Sequence, residues 1–197
     1  WLTSDHHPLT ARVIANRVWR WHFGKALVRS PDNFGKLGQE PTHPQLLDFL
    51  ASTFRDDDWS LKSLHRMILL SATFQMSSEW NQQAGEIDPD NKLIWRMNRR
   101  RLEAEVIRDA LLAVGDNLDR QLGGSLLPTK NRGYVTSTAN IDIRVYDTRR
   151  RSIYLPVVRS ALYAMFQVFD FAEPSVPNGE RKSTTLAAQA LFMMNSK

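Results

Sequence analysis

Amphipathic helices with regular start and stop signals occupy about the first 120 residues, and this pattern constrains the fold more than any other sequence feature. The stretch PLTARVIANRVWRWHFG has Pro8 near its start and Gly24 at the position of a left-handed C-terminal cap. An N-cap is predicted at Thr42, which has Gln45 at the capping-box spacing, and another at Ser60. The sequence therefore predicts a chain that begins as a set of short, well-capped helices.

Two further helices are predicted on the same grounds. The stretch DPDNKLIWRM starts with Asp88 as a candidate N-cap and Pro89 in the first turn. A longer helix is predicted from about Leu102 to Leu122, with Gly123 and Gly124 ending it.

The pattern changes in YVTSTANIDIRVYDTRRRSIYLPVV, which is rich in β-branched and tyrosine residues and alternates in IDIRVY and RSIYLPVV. We predict a small β hairpin or sheet near residues 133–158, with Pro156 at an edge or a strand end. ALYAMFQVFDF and LAAQALFMMNS are compatible with further helices. The fold class is therefore predicted to be mainly α, a single helical domain of about six or seven helices over residues 1–197.

Composition excludes several classes of site. The chain has no cysteine, which excludes disulfides, thiolate metal sites, iron–sulfur ligation and covalent haem attachment within it, so no cofactor is expected here. No run approaches the ~18 apolar residues of a membrane helix, so no membrane span is expected. The net charge of +5 favours an anionic partner. The chain begins at Trp1 without a signal-peptide pattern and stops after an apolar run, so we expect a fragment of a larger multidomain protein.

The stretch NRVWRWHFG, residues 16–24, gathers aromatic, basic and histidine side chains on the first helix. At about 100° per residue, the apolar stripe of this helix takes four residues, and these are Ala11, Ile14, Ala15 and Val18. His22 falls in the middle of the stripe, and Trp19 and Trp21 lie on its shoulders. Asn16 and Arg20 are predicted to point away from it.

His65 lies in a similar position on the helix predicted after Ser60, in WSLKSLHRMILLSATF, on a face shared with Leu61, Leu64, Ile68 and Ala72. Each inward histidine is expected to be a core residue with a hydrogen-bond partner, because buried polar groups must be paired. The alternative is a shared site in which His22 and His65 act as metal ligands or proton-transfer groups. Spacing does not support a metal site, because the chain has no His-x-x-x-His, and the macrodipole of its helix disfavours protonation of His43. No metal is therefore expected.

Arginines cluster in RMNRRRLEAEVIRDA, residues 96–110, and again at residues 149–151. Helical spacing predicts that Glu105 forms ion pairs with Arg101 and Arg108. The alternative is a receptor for sulfate, phosphate or carboxylate, since guanidinium binds such groups bidentately, and it gains weight if the two clusters meet in space. The candidate ligand-binding residues are Arg17, Trp19, His22, Arg99, Arg100, Arg101, Glu103, Arg149 and Arg150.

No catalytic pattern emerges from the carboxylates. Glu103 and Asp109 lie six residues apart on one predicted helix and so point to different sides, which does not suit a glycoside hydrolase pair. GKLGQEP lacks the context of a phosphate-binding loop, and no Gly-x-Ser-x-Gly elbow occurs. Catalytic residues are therefore left unassigned, and whether the chain is an enzyme stays open.

Six phrases occur in an order that resembles a known family, namely PLTARVIANRVWRWHFGKALVRSPDNFG, EPTHPQLLDFLA, WSLKSLHRMILLSATFQMSS, NRRRLEAEVIRDALLAV, RRSIYLPVVR and TTLAAQALFMMNS. Over nearly its whole length the chain is similar to planctomycete-specific domain one, a domain of unknown function. The resemblance implies a parent protein with a signal peptide, often with a planctomycete-type cytochrome c module and a second domain of unknown function. It therefore implies a periplasmic or extracellular location and haem c in a neighbouring module. Family members often have HHFG where this chain has Trp21 and His22, so a function that needs the first of those histidines should be missing here.

These observations favour a non-catalytic binding or interaction module of an exported multidomain protein, which recognises anionic polysaccharide through arginines supported by tryptophan faces. The alternative is a catalytic domain, either a glycan-acting hydrolase or a haem-linked oxidoreductase, for which the first residues to test are His22, His43, His65 and Glu103. Other domains of the same parent chain are the expected partners. Nucleic acid is not favoured, because the resemblance implies export.

Overall fold

The computed structural model describes residues 1–4, 7–127, 146–159 and 161–195, and the chain divides into two compact units, residues 1–100 and residues 101–197. The first unit contains α1 (Thr10–Phe23), α2 (Pro44–Asp56), α3 (Leu61–Leu69) and α4 (Gln82–Ile87). The second contains α5 (Ala104–Val114), α6 (Ala164–Val168), α7 (Ala187–Asn195) and a 3-10 helix, Ser152–Tyr154. The prediction of a mainly α fold with six or seven helices is confirmed by these seven described helices. None of them is long and apolar enough to cross a membrane. That residues 1–197 form a single domain stays a prediction.

The first helix ends where its sequence predicts. Gly24 adopts φ +77°, in the left-handed region, and its backbone N–H donates to the Arg20 carbonyl over 2.7 Å. Glycine reaches this conformation without the steric cost that a Cβ imposes, so the helix stops there.

The core of the first unit forms where α1 packs against α2 and α3. On α1 the buried apolar residues follow the helical repeat, and they are Ala11, Ala15, Val18, Trp19 and Phe23. Trp19 stacks on Phe23 with 4.1 Å between ring centroids. Leu64 and Ile68 bring α3 into the same core, because they too lie one helical turn apart.

The prediction that Asn16 points away from the core is wrong. Asn16 is only 1% exposed. Its amide nitrogen donates to the Val28 carbonyl over 3.1 Å, and its amide oxygen accepts from the Val28 N–H over 2.8 Å. The described segment after Gly24, which contains Val28, is not part of a strand, so no strand partner satisfies the Val28 N–H and C=O groups. The Asn16 side chain on the inner face of α1 satisfies both groups instead.

The predicted caps of α2 and α3 differ in outcome. The N-cap of α2 is His43 rather than Thr42, because Pro44 takes the first helical position and the Thr42 N–H donates instead to the Leu27 carbonyl over 2.9 Å. The Nδ1 atom of His43 lies 3.0 Å from the Thr42 hydroxyl. The cap at Ser60 is confirmed, since its hydroxyl accepts from the Ser63 N–H over 3.3 Å.

The helix predicted to start at Asp88 does not form, and the preceding helix, α4, ends at Ile87 instead. The Asp88 carboxylate accepts the backbone N–H groups of Lys92 and Leu93 over 2.9 and 2.7 Å. Asn91 adopts φ +53°, which interrupts helical geometry. The Asp-Pro pair therefore organises a compact loop, in which the carboxylate bonds lie four and five residues ahead rather than the two or three of an N-cap.

The longer helix of the second unit is shorter than predicted, because α5 ends at Val114 with Gly115 as its C-cap rather than at Leu122. Asp116 follows with φ +52°. The Asn117 side chain donates to the Gly115 carbonyl over 2.7 Å, which closes the end of the helix. The apolar repeat of the sequence continues beyond Val114, but the cap at Gly115, with Asp116 and Asn117 beside it, ends the helix.

The predicted hairpin lies partly outside the described residues, which exclude 128–145. Its described part, residues 146–158, contains a 3-10 helix and one isolated bridge between Asp119 and Arg150, but no strand. In this segment, side chains of α5 form hydrogen bonds with backbone groups that a neighbouring strand would otherwise satisfy. Arg108 donates to the carbonyls of Thr148 and Arg150, and Asp109 accepts the Ser152 N–H over 2.8 Å.

Candidate functional site

Trp80, Trp95 and Arg96 form a cluster in the first unit, which we call the tryptophan–arginine cluster. The Arg96 guanidinium carbon lies 5.4 Å from the Trp80 ring centroid and 5.0 Å from the Trp95 ring centroid. The two indoles meet edge to face, with 5.4 Å between their centroids. Trp80 is 57% exposed, so an aromatic surface is open to solvent next to a fixed cation.

The charge of Arg96 has no carboxylate partner within the part of the chain that the structure describes. Its Nε atom is buried and makes no hydrogen bond there. Indole faces attract a cation through their quadrupole, but they do not neutralise it. The guanidinium is therefore held in place by aromatic rings while its charge stays available to an anion.

Trp80 owes its position to a glycine on α4. A Cβ atom built on Gly85 would lie 2.1 Å from Cζ2 of Trp80, far closer than two carbon atoms can approach. Trp80 therefore packs directly on the backbone of α4, and a side chain at Gly85 would displace it.

Asp88 and Asn91 hold the other side of the cluster. The Asn91 amide accepts the Trp95 N–H over 2.9 Å and donates to the Arg96 carbonyl over 2.8 Å. The indole N–H of Trp95 donates to the Asp88 carbonyl over 2.9 Å. Burial alone would raise the pKa of Asp88, but the N–H groups of Leu93 and Lys92 outweigh it, and the pKa is lowered.

His22 and His65 pair with each other across α1 and α3. The Nε2 atom of His22 lies 2.7 Å from Nδ1 of His65, and one of the two rings must donate its proton to the other. The Phe74 ring stands edge-on to His22 at 5.6 Å between centroids. The expectation that each inward histidine has a hydrogen-bond partner is confirmed, although the partner is a second histidine.

The environment of His22 favours its neutral form. Burial lowers its pKa first, and the charges of His65 and Arg100 lower it further. Arg100 is close because its guanidinium donates to the Trp21 carbonyl. Among the described residues no three histidine, aspartate or glutamate side chains converge as a metal-ligand group.

The remaining candidates from the first unit are placed as follows. Trp19 is 4% exposed and part of the core, so its face cannot contact a ligand. Arg17 and Arg99 are exposed, and neither forms an ion pair within the described residues. Arg100 is exposed as well, with its guanidinium on the Trp21 carbonyl. Of these candidates, the structure brings only Arg100 and His22 together.

The candidates Arg101 and Glu103 belong to ion pairs within the second unit. Arg101 lies 3.5 Å from Asp170, and Glu103 lies 3.4 Å from Arg181. The predicted helical pairs of Glu105 with Arg101 and Arg108 do not form, because Arg181 takes both Glu105 oxygens over 2.6 and 2.8 Å. A bidentate fork from a distant segment replaces single contacts along one helix.

Arg149 and Arg150 differ although they are neighbours. Arg150 lies 4.3 Å over the Tyr154 ring and donates to the Gln121 carbonyl over 3.0 Å. Arg149 is exposed and has no ion pair in the described ranges. The structure therefore gives Arg150 a structural role and leaves Arg149 accessible.

The tryptophan–arginine cluster contains residues that the sequence did not single out as a site. Arg96 belongs to the predicted arginine cluster, but its contacts come from Trp95 beside it and Trp80 sixteen positions earlier. The adjacent Trp-Arg pair is the one local signal that could have drawn attention to it.

A family model described as PSD1, a protein of unknown function (DUF1553), matches residues 1–197. No curated protein matches the chain, and no solved structure does. Because the match spans the whole chain, the family is established by it, as the six ordered phrases predict. The chain belongs to the PSD1 family of proteins of unknown function.

Proposed function

We propose that this chain is a non-catalytic binding module of an exported multidomain protein, and that it binds anionic polysaccharide at the tryptophan–arginine cluster. The observation that carries the proposal is the Arg96 guanidinium, which packs against two indoles and has no carboxylate partner among the described residues. Export rests on the resemblance of the six phrases, as does a haem c module in the parent protein.

The chemistry of the cluster suits a charged sugar. A guanidinium forms paired hydrogen bonds with sulfate or carboxylate, and an exposed indole offers an apolar face to the C–H face of a sugar ring. Since the two rings already hold Arg96, little side-chain freedom is lost on binding. The net charge of +5 adds a general attraction for polyanions.

The test compares dextran sulfate and polygalacturonate with neutral dextran by isothermal titration calorimetry over a range of salt concentrations. Arg96→Gln should weaken binding of both polyanions by about tenfold and reduce the salt dependence. Arg66→Gln is the matched control, because Arg66 is exposed on α3 and its loss changes the net charge equally. Equal effects of the two substitutions would show general charge attraction and contradict the assignment.

Gly85→Ala tests the geometry without removing any group that touches a ligand. The added methyl displaces Trp80 from α4, so polyanion binding should fall even though Arg96 is intact. Trp80→Ala should produce a similar loss. Full binding by both variants would mean that the aromatic surface does not contribute.

The catalytic alternative has one observation in its favour, the pairing of His22 with His65, which suits proton transfer. Glu103 is a weaker candidate, since its carboxylate is half-exposed and lies against Arg181. Release of reducing ends from polygalacturonate, abolished by His22→Gln, would support a hydrolase. Equal release of reducing ends by the wild type and His22→Gln would exclude His22 as a catalytic residue.

A further inference from the structure

A cleft in the second unit is independent of the tryptophan–arginine cluster. It has a volume of about 620 Å³ and lies among α5, α7 and residues 146–149. Ligand pockets for small molecules have about 300–1,000 Å³, so the cleft is large enough for an amino acid or a dipeptide.

One wall of the cleft is apolar and aromatic. It includes Leu111 and Leu112 of α5 and Phe192 and Met193 of α7, and Leu111 is only half-buried. Two tyrosines extend this wall, Tyr146 and Tyr163, which stack with 5.1 Å between ring centroids. These side chains offer contact area for one apolar or aromatic side chain.

The polar wall of the cleft carries both signs of charge. Asp147 and Arg149 line it, two positions apart, and both are exposed. Neither side chain forms an ion pair or a hydrogen bond with the other, or with any other group within the described residues. The third charged residue there, Arg108, is committed to the Thr148 and Arg150 carbonyls and to Asp109. One carboxylate and one guanidinium without a side-chain partner among the described residues therefore line a cleft that also has aliphatic and aromatic lining.

We propose that this cleft binds a zwitterion with an apolar side chain, either a free amino acid or a dipeptide. Arg149 takes the ligand carboxylate and Asp147 takes its ammonium group, while the side chain lies against Leu111 and Tyr163. A simple anion would meet the Asp147 carboxylate, and a simple cation would meet Arg149. A ligand with both charges satisfies both residues.

The first experiment is calorimetric titration of the whole chain with L-phenylalanine and with two analogues. Phenylpropanoate lacks the ammonium group, and phenethylamine lacks the carboxylate. We expect phenylalanine to bind at least about tenfold more tightly than either analogue. Phenylalanyl-leucine distinguishes a dipeptide from an amino acid as the better ligand. Equal affinity for phenylalanine and phenylpropanoate, or no heat with any of the four compounds, would overturn the proposal.

The second experiment assigns each charge. Arg149→Gln should weaken phenylalanine binding about tenfold and leave phenethylamine binding unchanged. Asp147→Asn should also weaken phenylalanine binding about tenfold, but it should leave phenylpropanoate binding unchanged. Arg120→Gln and Asp116→Asn are matched controls, because both residues are exposed in the same unit and neither lines the cleft. A loss of affinity for all three compounds with either cleft variant would refute the charge assignment.

A third variant tests the location without touching a charge. Leu111→Trp should fill the cleft and abolish phenylalanine binding. Val114→Trp lies on the same helix, at a residue that is almost fully exposed and does not line the cleft, and it should bind as the wild type does. Undiminished binding by Leu111→Trp would place the ligand elsewhere.

Discussion

Replacing Asn16 by alanine should be among the most destabilising changes in the first unit. The Asn16 amide satisfies both backbone groups of Val28, over 2.8 and 3.1 Å, and both residues are buried. Alanine leaves one N–H and one C=O without a partner. At about 1–3 kcal/mol for each buried unsatisfied group, the expected loss is about 2–6 kcal/mol. A domain is stable by only about 5–15 kcal/mol, so this loss is a large share.

Asn16→Asp separates the two hydrogen bonds. The aspartate keeps the acceptor for the Val28 N–H, but it sets a second oxygen against the Val28 carbonyl. Protonation supplies the missing donor, so the folded state should raise the pKa of this carboxyl above its unfolded value. A group with a raised folded pKa stabilises below the unfolded pKa, and its contribution is lost as the pH rises through the folded pKa. The deficit against wild type should therefore shrink as the pH falls towards about 4.

Urea unfolding followed by tryptophan fluorescence is the appropriate assay, because all six tryptophans lie in residues 1–100. Asn33→Ala is the matched control, since Asn33 is exposed and should change stability by less than about 0.5 kcal/mol. If Asn16→Ala cost no more than the control, the paired contacts with Val28 would not be the reason for burying an amide. A pH-independent deficit in Asn16→Asp would refute the assignment of the donor.

Three further predictions follow from the charges. The pKa of His22 is lowered in the folded state, so its contribution to stability is complete above about pH 6.5 and decreases as the pH falls below that value. The urea midpoint of the wild type should therefore drop as the pH falls below about 6.5, and the drop should be smaller in His22→Gln. Burial raises the pKa of Asp170, but hydrogen bonds from Thr184 outweigh this effect and lower the pKa. The contribution of Asp170 to stability is therefore present above about pH 4 and lost in more acidic solution. Tyrosine fluorescence reports the second unit, and it should show an acid transition that Asp170→Asn removes. Arg99→Ala combined with Arg100→Ala should weaken dextran sulfate binding and flatten its salt dependence, and unchanged calorimetric affinity would show that these two arginines do not contribute to anion binding.

Local signals predicted the local structure well. Gly24 ends α1 and Ser60 caps α3 because each needs only its own neighbours in the chain to do so. Asp88 shows the limit of such signals, since an Asp-Pro pair suits a helix start and a loop equally well. The loop forms because Asn91 can adopt a positive φ, and the helical alternative could not have been excluded from local pattern alone.

Long-range pairs could not be predicted from spacing. Glu105 has basic residues at helical distance, yet its partner is Arg181, which lies 76 positions away. A fork with two hydrogen bonds is stronger than a single contact between flexible side chains along a helix, and only the tertiary fold supplies it. The same holds for the candidate site. The sequence shows Arg96 as one arginine of a cluster, but it does not predict that the indoles of Trp80 and Trp95 pack against it.

The contacts of Arg108 also impose an order on folding. Its guanidinium meets the Thr148 carbonyl across 40 positions, and closing a loop of that length costs roughly 3 kcal/mol of chain entropy. The described backbone around Ser152 forms no strand, and the Thr148 carbonyl, the Arg150 carbonyl and the Ser152 N–H take their partners from Arg108 and Asp109 on α5. Residues 148–152 and α5 should therefore form one cooperative folding unit, and their amide protons should exchange with solvent through the same opening event.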